Sequence, residues 1–78
     1  PNPFNPITTF EYGLPVSSHI TISIYDITGK QVDVLFNGIQ DAGYYQHSWD
    51  GSHIATGLYF LQIRSDEFIE TQKLMLIK

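Results

Sequence analysis

Cysteine is absent from this 78-residue chain, and only 15% of its residues are charged, with 4 Lys+Arg against 8 Asp+Glu. The first absence excludes a disulfide scaffold and a thiolate zinc site, and it says nothing about redox compartment. The second leaves a formal charge of −4 and no basic footprint, so nucleic acid and anionic membrane surfaces are poor partners. Long apolar runs are missing as well. The longest, Gly57 to Leu61 and Leu74 to Ile77, fall far short of the roughly 20 residues of a spanning helix, and the chain reads as soluble. A chain this short accommodates one domain, which buries only roughly 60% of its unfolded surface and has little room for an enclosed catalytic pocket. No enzyme is expected. The chain opens at Pro1 without a Met or a basic-then-apolar leader, so it reads as a piece of a longer or processed protein, with any signal peptide upstream.

Alanine is nearly absent too, at 2 residues, against 10 Ile, 3 Val, 6 Thr and 10 Phe and Tyr. Branched and aromatic side chains fit a pleated surface and lose rotamer freedom in a helix, so strands are expected and helices are not. Period-two alternation places strands at Ile7 to Leu14, closed by Pro15, and at His19 to Tyr25, with Ile20, Ile22 and Ile24 on one face. Asp26-Ile27-Thr28-Gly29 reads as a hairpin turn. The return strand, Lys30 to Phe36, carries Val32, Val34 and Phe36 on one parity, and Asn37-Gly38 is expected to end it as a turn. Tyr44 to Trp49 alternates Tyr45, His47 and Trp49 against Tyr44, Gln46 and Ser48, and Asp50-Gly51 terminates it. After a loop over Ser52 to Thr56, Gly57 to Arg64 is apolar on both faces and should be a central strand. Ser65-Asp66-Glu67 turns into a closing strand from Phe68 to Ile77.

Six strands, and a seventh if Ile39 to Asp41 pairs, point to a β-sandwich or small barrel. We take the all-β immunoglobulin-like antiparallel sandwich of about seven strands. Trp49, Phe10 and Ile22 are the expected core anchors, holding two sheets together by apolar packing without a disulfide.

No chemistry-bearing constellation stands out. His19, His47 and His53 match no metal-ligand spacing, and neither metal nor cofactor is expected. Asp66-Glu67 and Asp50 lack a cleft, and His47, Ser48, Asp50 and Ser52 lack the strained elbow of a nucleophile. Tyr44, Phe60 and Phe68 are candidates for a sugar-stacking face, so a carbohydrate-binding module or a structural spacer is the rival to any signalling role. Trp49 and Tyr59 read first as core aromatics, Tyr59 with a hydroxyl able to reach a neighbouring backbone carbonyl, as in a tyrosine corner.

Five strings remain: Pro1-Asn2-Pro3-Phe4-Asn5-Pro6, Tyr25-Asp26-Ile27-Thr28-Gly29-Lys30, Trp49-Asp50-Gly51, Gly57-Leu58-Tyr59-Phe60 and Lys73-Leu74-Met75-Leu76-Ile77-Lys78. In this order and spacing the chain closely resembles the type A C-terminal sorting domain of the type IX (Por) secretion system. The related immunoglobulin-like domain of flagellar hook-capping proteins shares the middle strings, and the two ends decide between them. The resemblance covers the whole chain. It implies an address label at the C-terminus of a larger secreted protein, read in the periplasm by the outer-membrane translocon and shuttle proteins. A sortase-like peptidase then commonly removes the label, leaving the cargo secreted or at the cell surface. The matching positions imply recognition roles for Pro1, Asn2, Pro3, Gly57, Tyr59, Lys73 and Lys78. His47 and the bulky Tyr44-Tyr45 pair depart from the family pattern. The isolated domain is expected to be a monomer. Three Pro in the first six residues make that opening stiff and extended, as suits either a receptor motif or a lock on the first strand.

Overall fold

The structure, a computed structural model, describes residues 7–77, so Pro1, Asn2, Pro3 and Lys78 lie outside the described residues. Six strands form: β1 (Ile7–Leu14), β2 (Ser18–Asp26), β3 (Gln31–Gln40), β4 (Gly43–Asp50), β5 (Gly57–Arg64) and β6 (Ile69–Leu76). They make two antiparallel sheets, β1-β4 and β3-β2-β5-β6, packed face to face as a sandwich, and the described residues contain no helix. The expectation of an all-β sandwich holds, with six strands and not seven.

Alternation explains the interior. Phe10, Tyr12 and Leu14 of β1 and Trp49 of β4 face Ile20, Ile22 and Ile24 of β2, Tyr59, Leu61 and Ile63 of β5, and Leu74 and Leu76 of β6, all buried in one apolar cluster. Strand β5, apolar on both faces, pairs with β2 on one side and β6 on the other, as its composition anticipates. The register places Tyr25 beside Phe60 and Phe60 beside Lys73, and it places Leu58 beside Met75, all on the outer face of the larger sheet.

Strand β3 departs from expectation twice. Asn37-Gly38 does not turn: it lies inside the strand, Asn37 opposite Thr21 and Gly38 opposite Ile20, and the segment up to Gln40 belongs to β3 instead of making a seventh strand. Positive φ among the described glycines occurs only at Gly29 and Gly43, so Gly38 is ordinary extended backbone. The ladder offered by Ser18 to Thr21 outweighs the local turn preference, because β2 would otherwise leave those backbone groups unpaired. The second departure is the broken face of Val32, Val34 and Phe36. Register shifts leave Leu35 and Val32 without a directly opposed residue on β2: Phe36 faces Ile22, Val34 faces Ser23, and Asp33 faces Ile24. Each bulge inserts one residue and so reverses the facing of the positions beyond it. Val34 is thereby turned out to solvent while Asp33 is aimed inward.

Candidate functional site

Four of the five strings singled out by sequence gather at one end of the sandwich. Gly57-Leu58-Tyr59-Phe60 and Lys73-Leu74-Met75-Leu76 are direct ladder partners, with Gly57 opposite Leu76, Tyr59 opposite Leu74 and Phe60 opposite Lys73. On the other side of β5, Tyr25 and Asp26 oppose Phe60 and Tyr59. Trp49 completes the group across the sandwich, its ring edge-on to Tyr59 at 6.3 Å. Gly51, just after β4, passes tightly against the core: a Cβ there would sit 2.9 Å from Leu76 Cδ1 and 3.1 Å from Trp49 Cη2, so a larger residue would displace the Leu76 side chain. The Pro-rich string itself is outside the described residues, and the first described residue, Ile7, pairs with Asp50.

Each member has a local reason for its place. Tyr59 is buried and its hydroxyl donates to the Ala55 carbonyl at 2.7 Å, a tyrosine corner that pins the loop before β5 to the strand. Tyr45 repeats the device at the start of β4, donating to the Asp41 carbonyl at 2.6 Å. In each case a Gly-x-Tyr string opens a strand, Gly43-Tyr44-Tyr45 and Gly57-Leu58-Tyr59, and the acceptor lies four residues before the ring. Sequence reasoning missed Tyr45, although this repeat was the available signal. It also missed Asp33, whose Oδ2 accepts the Trp49 indole N–H at 2.9 Å, because the bulges that aim it inward leave no trace in residue period.

The β2–β3 turn is held by one carboxylate. Asp26 Oδ1 accepts from the Thr28 hydroxyl at 2.6 Å, the Thr28 N–H at 2.9 Å and the Lys30 N–H at 3.0 Å, while Gly29 takes φ +87°. The Thr28 hydroxyl, with the two backbone N–H groups, holds the Asp26 carboxyl below its ordinary pKa. At Tyr12 of the smaller sheet the balance runs the other way. Burial raises the Tyr12 phenol, although its hydroxyl bonds the Gln40 side-chain oxygen. His47 lies between the rings of Phe10 and Tyr12, near-parallel to each at 5.7 Å, with Phe36 tilted against it at 5.9 Å. His47, expected to depart from the family pattern, is accommodated by packing among aromatic rings.

Residues with catalytic potential are dispersed. His47 faces the interior, Ser48 faces out toward Thr9 at 3.2 Å, and Asp50 Oδ1 is occupied by the Ser52 N–H at 2.9 Å. Among the described residues no group of three His, Asp or Glu is placed to hold a metal. The sugar-stacking candidates do not share a face. Tyr44 stands fully exposed on the outside of the smaller sheet, Phe60 lies on the outside of the larger one, and Phe68 packs against the core.

What the geometry offers is a set of ordered strings folded onto one end of a closed sandwich. The model of the family described as secretion system C-terminal sorting domain matches residues 1–78. The chain belongs to that family. It is a sorting signal for type IX secretion, and it marks its protein for the cell surface or for release through the outer membrane. The sorting-domain family is not a catalytic one. Searches of curated proteins and of solved structures give no match to this chain.

Proposed function

We propose that this sorting domain is a non-catalytic, cofactor-free label covering residues 1–78 as one unit behind an upstream cargo. In this reading the outer-membrane translocon and its shuttle proteins recognise it, and a sortase-like peptidase detaches it. The whole-length family match carries the reading.

Within the label, buried and exposed motif residues have different work to do. Tyr59 is buried with its hydroxyl engaged, and Gly57 abuts the Tyr59 ring, which supports a role in holding shape for both. Lys73 is exposed on β6, where its ammonium reaches solvent beyond an apolar stem, which supports direct contact. Pro1, Asn2, Pro3 and Lys78 are the remaining contact candidates.

The test is export. Fused through Pro1 to Lys78 onto the C-terminus of a periplasmic reporter, the domain should carry that reporter to the surface or medium of a type IX-competent host, and retention in the periplasm overturns the reading. Lys73→Gln with Lys78→Gln should cut export, and Lys73→Gln alone, at an exposed position, should move stability by no more than about 0.5 kcal/mol. Wild-type export of the double variant removes the lysines from the recognised set.

A further inference from the structure

Charge is unevenly divided between the two outer faces of the sandwich, and neither composition nor parity reveals it. On the larger sheet the outward positions are His19, Thr21, Ser23 and Tyr25 of β2, with Gln31, Val34, Asn37 and Ile39 opposite them on β3. Leu58, Phe60, Gln62 and Arg64 of β5 continue the face, followed by Met75, Lys73, Thr71 and Ile69 of β6. The face therefore carries two cations and no carboxylate, in a chain with twice as many acids as bases. The outer face of the smaller sheet holds Glu11 and Asp50 and no cation. The remaining acids sit in turns and links (Asp26, Asp41, Asp66, Glu67) or at inward-facing register positions (Asp33 and Glu70, opposite Ile24 and Ile63). Among the described residues neither Arg64 nor Lys73 has a carboxylate within salt-bridge distance.

Apolar groups share this face with the cations: Phe60 lies beside Lys73 and Ile69 beside Arg64, with Gln62 and Thr71 between the two pairs. Tyr25 and Phe60 are half-buried side by side, and Val34, Ile69 and Met75 are exposed. The aromatic pair neighbours Lys73, and Arg64 lies two outward positions along β5 from Phe60; aromatic and Arg side chains on one face are enriched at interface centres, where a few such residues supply most of the binding energy.

We infer that the outer face of the four-stranded sheet is the docking surface for an acidic protein partner, with Tyr25 and Phe60 as apolar anchors and Arg64 and Lys73 pairing partner carboxylates. The inference rests on the sorting reading and names the side of the label that is recognised. Two cations are too few for a lipid surface, where basic clusters of about 4 to 8 residues are the rule. They suffice for a protein surface, because charges that lack a salt-bridge partner and stand beside apolar groups set orientation and exclude wrong partners. Four strands about 4.8 Å apart and eight residues at about 3.3 Å each give a face of about 500 Å². That is below the roughly 800 Å² per partner of a stable complex and belongs with transient encounters, as suits a label that is released after use.

The experiment compares reporter fusions carrying the whole chain. Arg64→Glu with Lys73→Glu, and separately Thr71→Glu between them, should each lower export roughly tenfold, the effect of about 1.4 kcal/mol of lost binding. Arg64→Lys should keep export, and so should Glu11→Gln on the opposite face. Melting of each purified domain identifies any variant that is unfolded, and Thr71→Glu, at an exposed position of β6, stands in for one that is. Wild-type export by both charge variants, alongside export of the unmutated fusion, overturns the docking face and leaves the sorting reading intact. An unmutated fusion retained in the periplasm overturns both. Two further outcomes reassign the face. Cosedimentation of the domain with vesicles of equal parts phosphatidylcholine and phosphatidylglycerol at physiological salt would give it to lipid. Concentration-dependent oligomers in sedimentation velocity that Lys73→Glu abolishes would give it to a second copy of this chain.

Discussion

Trp49 is where the sandwich is most exposed to a single change. Its ring is 2% accessible, lies edge-on to Tyr59, and donates its indole N–H to Asp33 across the gap between the sheets. Trp49→Ala removes the buried ring and the bond together, a truncation that costs about 3 to 5 kcal/mol. At about 0.05 to 0.15 kcal/mol per residue the whole domain has roughly 4 to 12 kcal/mol to lose. Trp49→Ala is therefore close to an unfolding mutation, and Trp49→Phe is the informative partner. Phe keeps most of the apolar area and loses the donor. Asp33 is 31% exposed at its side chain, so water replaces part of the lost bond and the expected cost is about 1.5 to 2 kcal/mol, the low end for a bond to a charged group. Asp33→Asn should cost about 1 kcal/mol, because Oδ1 and Oδ2 accept from the Val34 and Trp49 N–H groups and an amide offers one acceptor oxygen. If the pair acts through one bond, the double variant should fall short of additivity by about 1 kcal/mol. Urea unfolding followed by far-ultraviolet circular dichroism measures each variant against the parent domain, with equal m-values required for the comparison. A Trp49→Ala loss under about 1 kcal/mol, or strict additivity of the pair, refutes the argument.

The two tyrosine corners should separate by burial. Tyr59→Phe should cost about 1 to 1.5 kcal/mol and Tyr45→Phe about half that, because water reaches the Asp41 carbonyl more readily; equal losses in denaturant titrations would contradict it. Gly38→Ala should be neutral or mildly stabilising, its Cβ meeting only Phe36 at 3.4 Å in extended backbone, whereas Gly29→Ala at φ +87° should cost about 1 kcal/mol. The reverse order of melting temperatures would restore Asn37-Gly38 as a turn. Because the folded state lowers the Asp26 pKa, the stability it contributes is complete above the ordinary carboxylate value of 3.8 and is lost as pH falls through the lowered one. Asp26→Asn should accordingly flatten the acid side of a melting-temperature profile, and an unchanged profile counts against the turn's role. Tyr12 titrates in the opposite sense: its raised pKa makes its contribution complete below about pH 10 and lost as pH climbs through the folded value, so Tyr12→Phe should extend stability into alkali.

Parity in β1, β2 and β4, the two-faced apolar run of β5 and the turn before β6 placed five of the six strands to within a residue or two; where one face is buried, a slipped register would expose a row such as Ile20, Ile22 and Ile24. The Asp26 turn and the Tyr59 corner were legible for a related reason: both are contacts over two to four residues, short enough for residue chemistry to specify them. Strand β3 was not legible, since its bulges answer to the pairing needs of β2 and its Asn37-Gly38 dipeptide carries a local preference that the ladder overrides. The Asp33–Trp49 bond spans 16 positions and the charge-divided faces span the whole chain. Such features exist only after topology has placed strands from distant parts of the sequence side by side.

The same topology decides what a recognition partner can touch. Of the strings that place the chain among sorting domains, Trp49, Gly51, Tyr59, Leu74 and Leu76 are buried, while Thr28, Lys30, Lys73 and Met75 are exposed. A partner arriving from solvent contacts the second group and half-buried neighbours such as Tyr25 and Phe60, so the first can influence export solely through the shape and stability of the folded label. Substitutions at Trp49, Tyr59 or Gly51 should therefore lower export in proportion to the fraction unfolded, and conditions that restore folding should restore export. Substitutions at Lys73 or its neighbours on the outer face should lower export at constant melting temperature. Plotted against stability, export by the buried variants should fall on one curve and export by the exposed variants below it. A Tyr59→Phe protein that remains fully folded yet loses export would break that division, because it would mean that a hydroxyl engaged with Ala55 inside the domain is itself being read.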